Sequence, residues 1–103
     1  MSKIENIKNV LGQPDYENDF GLIYNQDCQE GLKKLLNSGV ELDITITSPP
    51  YNIGKEYEKI MPLNEYIDWL VDICDNIYNL TKKDGSFLLN VGYLSVEGKG
   101  KAV

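Results

Sequence analysis

The chain has 103 residues, enough for one small domain with a modest core and too few for two. Its 42% hydrophobic and 25% charged residues are ordinary for a soluble globular protein, and no apolar run approaches the roughly 20 residues that span a bilayer. The formal charge of −6 has the wrong sign for gripping a phosphate backbone unaided, and the absence of histidine rules out His-dependent triads and argues against a zinc site.

Residues 1 to about 20 read as a leader with one short helix over Lys3–Leu11. Its start, Met1-Ser2-Lys3-Ile4-Glu5-Asn6, has no signal-peptide core, so the cytoplasm is the expected compartment. Gly21-Leu22-Ile23-Tyr24-Asn25 is a short apolar run suited to a buried strand. A helix follows, with Leu32, Leu35 and Leu36 on one face, Asp27 as N-cap, and Asn37-Ser38-Gly39 as its stop. Asp43-Ile44-Thr45-Ile46-Thr47 is a β-branched strand, and Ser48-Pro49-Pro50-Tyr51-Asn52 ends it, because proline lacks the donor that a central strand needs.

From Asn64 to Leu80 the period becomes helical, with Tyr66, Ile67, Leu70, Ile73, Cys74, Ile77 and Leu80 along one stripe. Lys82-Lys83-Asp84-Gly85 reads as the closing turn of that helix, with cations near its C-terminus. Ser86-Phe87-Leu88-Leu89-Asn90-Val91 is a further buried-looking strand, and residues 93–103 form a tail of weak pattern. Helices alternating with short apolar strands predict an α/β fold with a parallel sheet, whose ligands sit beyond the carboxyl ends of the strands. Residues 21–92 form its βαβ core. Cys28 and Cys74 stand in no metal-ligand spacing and read as small buried hydrophobes, with a disulfide the less favoured alternative.

Two prolines directly after a buried strand hold Ser48 and Pro49 extended and make a rigid loop. Such a loop can present polar acceptors to the exocyclic amine of a heteroaromatic base while an adjacent ring stacks on that base. The amine is a poor nucleophile, and acceptors that aim its lone pair at an electrophilic methyl group assist it without metal or histidine. A lone Pro-Pro pair reads more simply as a strand-breaking turn. The apolar strand before it, Thr47-Ser48 leading in and Tyr51-Asn52 leading out argue for the chemical reading.

Ile44-Thr45-Ile46-Thr47-Ser48-Pro49-Pro50-Tyr51-Asn52-Ile53-Gly54 resembles the catalytic motif of S-adenosylmethionine-dependent DNA amino-methyltransferases of restriction–modification type. Tyr24-Asn25-Gln26-Asp27-Cys28 is similar to that family's preceding strand and acidic turn, and Gly85-Ser86-Phe87-Leu88-Leu89-Asn90-Val91-Gly92 to its following strand. The resemblance implies a partial Rossmann-like methyltransferase fold with parallel strands and flanking helices. It implies methyl transfer from S-adenosyl-L-methionine to a base amine in double-stranded DNA. Ser48 and the Pro49 carbonyl would accept hydrogen bonds from that amine, Tyr51 would stack on the flipped base, and Pro50 would keep the loop rigid. Asp27, with Cys28 beside it, would contact the adenosine part of the cofactor; a plain helix cap is the simpler role for Asp27, and the two can coexist. Lys55 and Tyr57 read as solvated loop residues within reach of DNA, and Asn90 and Gly92 as structural. Ser48 at the head of the motif favours cytosine N4, with adenine N6 as the alternative.

The chain departs from the family in lacking its Phe-x-Gly-x-Gly turn, where glycine allows close approach to the methionine part of the cofactor. Gly98-Lys99-Gly100 lacks the strand before and the helix after that such a turn needs. An early Pro-Pro-Tyr loop fits the permuted subclass, in which the glycine-rich strand and the basic recognition region would lie beyond Val103. The expectation is a truncated or split N-terminal part of an enzyme, inactive alone because half of the cofactor site is absent, or an enzyme completed in trans by a complementing methyltransferase fragment. The apolar edge and face left exposed predict a homodimer or marginal stability. The alternative is a non-catalytic interaction remnant. Related loops also serve methyltransferases acting on protein glutamine or ribosomal RNA, often with Asn in place of Ser48.

Overall fold

The computed structural model describes residues 2–50, 52, 61–91, 93–96 and 99–102. Helix α1 (Lys3–Leu11) starts at a capping box, in which Ser2 Oγ accepts from the Glu5 N–H and the Ser2 N–H donates to the Glu5 carboxylate. The chain then turns at Gly12, whose φ of 87° lies in the left-handed region. Tyr24 Oη donates to the Gly12 carbonyl at 2.7 Å and Gln26 Nε2 to that of Leu11 at 2.9 Å, tying α1 to the segment before the second helix.

Strands β1 (Tyr16–Asn18) and β2 (Gly21–Ile23) pair antiparallel around a turn in which Asn18 Oδ1 accepts from the Phe20 and Gly21 N–H groups. The apolar run Gly21–Asn25 is therefore not a buried strand of the parallel sheet. Its first three residues join a local hairpin and Ile23 stays exposed. The Asn18 turn makes the adjacent partner available at little loop-closure cost, so the nearest segment wins the pairing.

Helix α2 (Cys28–Leu36) is capped as expected: Asp27 Oδ2 accepts from the Glu30 N–H at 3.2 Å. Strand β3 (Leu42–Thr47) leads to the Ser48–Pro50 loop, and helix α3 (Leu63–Leu80) runs directly into β4 (Thr81–Leu89). Strands β3 and β4 are parallel, with Ile44 opposite Ser86, Thr45 opposite Phe87, Ile46 opposite Leu88 and Thr47 opposite Leu89. Lys82–Gly85 does not close α3 as a turn. The helix ends at Leu80, and these four residues form an irregularity within β4 as its partners jump from Leu42↔Thr81 to Ile44↔Ser86. Gly85 makes this possible: a Cβ there would stand 2.8 Å from the Asp43 carbonyl and 3.0 Å from that of Leu42. Residues 93–102 also carry regular structure, an antiparallel hairpin of β5 (Tyr93–Val96) and β6 (Lys99–Ala102). Only two residues separate its strands in sequence, the shortest common hairpin connection.

The core is a seam between α3 and its neighbours, with Val40, Tyr66, Ile73, Ile77 and Leu80 buried. Gln29 on α2 donates to Asp72 on α3 at 2.9 Å, pinning the two helices together. Thr45, Thr47, Phe87 and Leu89 face this seam half-buried, whereas Ile44, Ile46 and Leu88 point to the opposite side and are exposed. One face of the β3–β4 pair is thus covered and the other is open. The radius of gyration of 16.0 Å against about 13 Å for a compact chain of this length agrees with an open fold. At the amino end of the pair, Asp43 sits between Lys82 at 3.1 Å and Lys3 at 3.7 Å. The Lys82 hydrogen bond, more than Lys3, holds its carboxyl below the usual range. Among the described residues no helix is long and apolar enough to cross a membrane.

The two sides of the sheet predict opposite mutational costs. Ile73→Ala in the seam should destabilise the chain by about 2–4 kcal/mol. Ile46→Ala on the open face should cost less than about 0.5 kcal/mol in a monomer. Urea denaturation of both variants measures the contrast, and equal costs would mean that the open face is covered in solution.

Candidate active site

The site grows from the carboxyl end of β3. The ladder continues one residue past Leu89, where the Asn90 N–H donates to the Thr47 carbonyl at 3.0 Å. This locks Asn90 beside Ser48, 42 residues away in sequence, and Asn90 Nδ2 reaches Ser48 Oγ at 3.5 Å, the long limit of a hydrogen bond.

Pro49 and Pro50 carry no N–H, so this part of the loop is held through carbonyls. Tyr66, buried on the first turn of α3, donates its hydroxyl to the Pro50 carbonyl at 2.5 Å. Two residues on, Asn52 adopts φ 61°, a left-handed conformation that Asn tolerates better than most residues. Its side chain clasps the backbone of Met61 twice: Oδ1 accepts from the Met61 N–H and Nδ2 donates to the Met61 carbonyl, both at 2.8 Å. The clasp joins the end of the motif to the approach of α3.

Beneath the loop lies a pocket of about 280 Å³. Cys28, Ser48, Pro49 and Pro50 form one wall, Trp69, Leu70 and Ile73 of α3 the other, and Thr47 and Leu89 line it from the strands. Trp69 stands 5.9 Å from the Tyr66 ring, tilted by 34°. Apolar walls, an indole and a polar rim suit a planar heterocycle. Gly85, which most needs to be glycine, is packed against strand backbone.

Of the residues singled out in the sequence, Cys28, Ser48, Pro49 and Pro50 meet around this pocket. Asp27 is adjacent in the chain, with its carboxylate engaged in capping α2. Tyr51, Gly54, Lys55, Tyr57 and Gly92 lie outside the described residues. Cys28 is exposed rather than a buried hydrophobe, because it opens α2 at the rim of the sheet; both cysteines are free. Partial burial, reinforced by the Asp27 carboxylate, pushes the Cys28 thiol above its ordinary value. Sequence patterning did not bring out Trp69, Asn52 or the polar role of Tyr66. The available signal was an aromatic pair at i, i+3 with one polar tip, Tyr66 and Trp69, at the start of an otherwise aliphatic stripe.

Comparison with known proteins gives one family whose model matches, described as DNA methylase, over residues 42–98. The chain is 43% identical to the Type II methyltransferase M.ScaI of Streptomyces caespitosus over 102 residues, covering 99% of this chain and 33% of that protein. It is 37% identical to the Type II methyltransferase M.BglII of Bacillus subtilis over 70 residues, 68% of this chain and 19% of that protein. It is 30% identical to the DNA adenine methyltransferase YhdJ of Escherichia coli over 77 residues, 72% of this chain and 26% of that protein. The chain therefore spans about a third or less of the length of these relatives. No solved structure matches it.

Two measurements test the local geometry. Asn52→Ala should cost about 1–3 kcal/mol through two lost hydrogen bonds and backbone strain, and Asn52→Gly less, because glycine accepts the same φ. Hydrogen exchange at the Met61 amide should quicken in both. Cys28 should alkylate more slowly at neutral pH than a free thiol, its rate rising only as pH passes the ordinary thiol range. Asp27→Asn, which keeps a capping side chain but removes the charge, should speed the reaction.

Proposed function

The chain belongs to the DNA methylase family, and from that premise we propose that it forms the acceptor-base part of a site-specific DNA amino-methyltransferase. The observation that carries this reading is the convergence of the rigid Ser48–Pro50 loop, Cys28 and Trp69 around one ring-sized pocket at the carboxyl end of a parallel strand. The proposed arrangement is a partial Rossmann-like methyltransferase fold built on the parallel β3–α3–β4 unit, working in the cytoplasm.

S-adenosyl-L-methionine, when bound, supplies an electrophilic methyl group. The chain acts on the amine that receives it. Ser48 Oγ and the Pro49 carbonyl accept hydrogen bonds from the exocyclic amine and so set the direction of its lone pair. Proline rings at 49 and 50 freeze the backbone that carries these acceptors, so little reorganisation accompanies the reaction. Tyr51 stacks on the flipped base. Asp27 and Cys28 are the residues that would hold the adenosine part of the cofactor, and the apolar wall of Trp69, Leu70 and Ile73 supports a planar ring beside them. Ser48 favours cytosine N4, with adenine N6 as the second target. Duplex DNA is the partner. The net charge of −6 assigns the grip on its phosphates to another part of the enzyme.

A second reading is favoured by the exposed Ile44, Ile46 and Leu88. In it the chain is inert until a second copy or a complementing methyltransferase fragment covers that face.

Incubation with labelled cofactor and duplex DNA, followed by nucleoside mass spectrometry, tests both readings and separates N4-methylcytosine from N6-methyladenine. Ser48→Ala should lower methylation at least about tenfold, the scale of one oriented hydrogen bond. Activity that survives Ser48→Ala combined with Tyr51→Ala overturns the role assignment. Calorimetry of the isolated chain with the cofactor should show no micromolar binding, and sedimentation should show self-association or complex formation wherever activity appears.

A further inference from the structure

The Ser48–Pro50 loop has an unusual restraint problem. The pyrrolidine rings fix φ at Pro49 and Pro50, and the peptide bonds are planar. The torsion left to set the exit from the motif is ψ of Pro50, which orients the Pro50 carbonyl and, in the same peptide plane, the N–H of Tyr51. No ring fixes that torsion. The Tyr66 hydroxyl, 2.5 Å from the Pro50 carbonyl oxygen, does.

Tyr66 is well suited to the task. It is 4% exposed, so water does not compete for its hydroxyl, and its ring is braced by Trp69 at 5.9 Å. It sits on the helix that also contributes Ile73, Ile77 and Leu80 to the core, so the donor is anchored by the packed seam. An apolar residue would satisfy the helical stripe equally well. The polar tip is explained by the carbonyl it meets.

Resting on the methyltransferase reading above, we infer that Tyr66 is a positioning residue for the acceptor loop: its hydroxyl sets the orientation of the Pro50 carbonyl at the end of the Ser48–Pro50 stretch. It touches neither substrate nor cofactor and acts through Pro50.

The experiment compares the full chain with Tyr66→Phe, which keeps the ring, and with 3-fluorotyrosine at position 66, which keeps the fold and makes a stronger donor. Carbon-13 labelling of proline carbonyls reports the Pro50 hydrogen bond directly. The Pro50 resonance should move one way in Tyr66→Phe and the opposite way with fluorotyrosine, while the Pro49 resonance moves less. In the assembly that methylates DNA, Tyr66→Phe should lower kcat about tenfold, the scale of one lost hydrogen bond, with the KM for cofactor unchanged. A Pro50 resonance indifferent to both changes overturns the inference, as does a shifted resonance with unaltered kcat. A role in packing alone would lower thermal stability without either response. Absence of methylation by every wild-type assembly sinks the functional reading instead, and the carbonyl shifts then decide the loop restraint by themselves.

Discussion

The parallel pairing of Thr45 with Phe87 and Thr47 with Leu89 brings two segments 42 residues apart to a common end, and the rest of the site is built outward from there. Because the strands run the same way, both release their chains on one side. Ser48 and Asn90 leave the sheet together, and α3 returns across the pair to deliver Tyr66 and Trp69 over the same edge. An antiparallel pair would have sent these segments to opposite ends. The irregularity at Gly85 serves this geometry, since it absorbs the residues between the end of α3 and the start of regular pairing at Ser86.

The motif loop is then restrained from three directions by three kinds of bond. The strand ladder holds its entry at Thr47, a phenol hydroxyl holds its middle at Pro50, and a side-chain amide holds its far end at Asn52. A Ser-Pro-Pro sequence has lost two backbone donors, so acceptors on the loop must be met by donors from elsewhere. Rigidity here combines fixed φ angles with borrowed hydrogen bonds.

Ile44, Ile46 and Leu88 leave one face of the β3–β4 pair open. A parallel sheet is stable when helices cover both faces. Here one face is covered and the other is open. The open face agrees with a chain that spans about a third of M.ScaI. The acidic balance accords with the proposed division of labour, in which the grip on phosphates lies elsewhere.

Sequence by itself determined the elements that depend on local chemistry. The Asp27 cap, the β-branched run ending at Thr47, the proline stop after it and the apolar stripe from Tyr66 to Leu80 all follow from side chains acting within a turn or two. The family was legible too, through the resemblance of Ile44 to Gly54 to the catalytic motif of DNA amino-methyltransferases. Tertiary structure decided what depends on partners distant in the chain. Gly21–Ile23 was free to join any strand and took the hairpin that Asn18 offered. Lys82–Gly85 read as a turn because its glycine signal was real, but the close approach of the Leu42 and Asp43 carbonyls put that glycine inside a strand. Tyr66 looked like one more apolar residue on a stripe until the fold brought Pro50 to its hydroxyl. Periodicity records which face a side chain occupies, and only the folded chain shows what its polar atom meets.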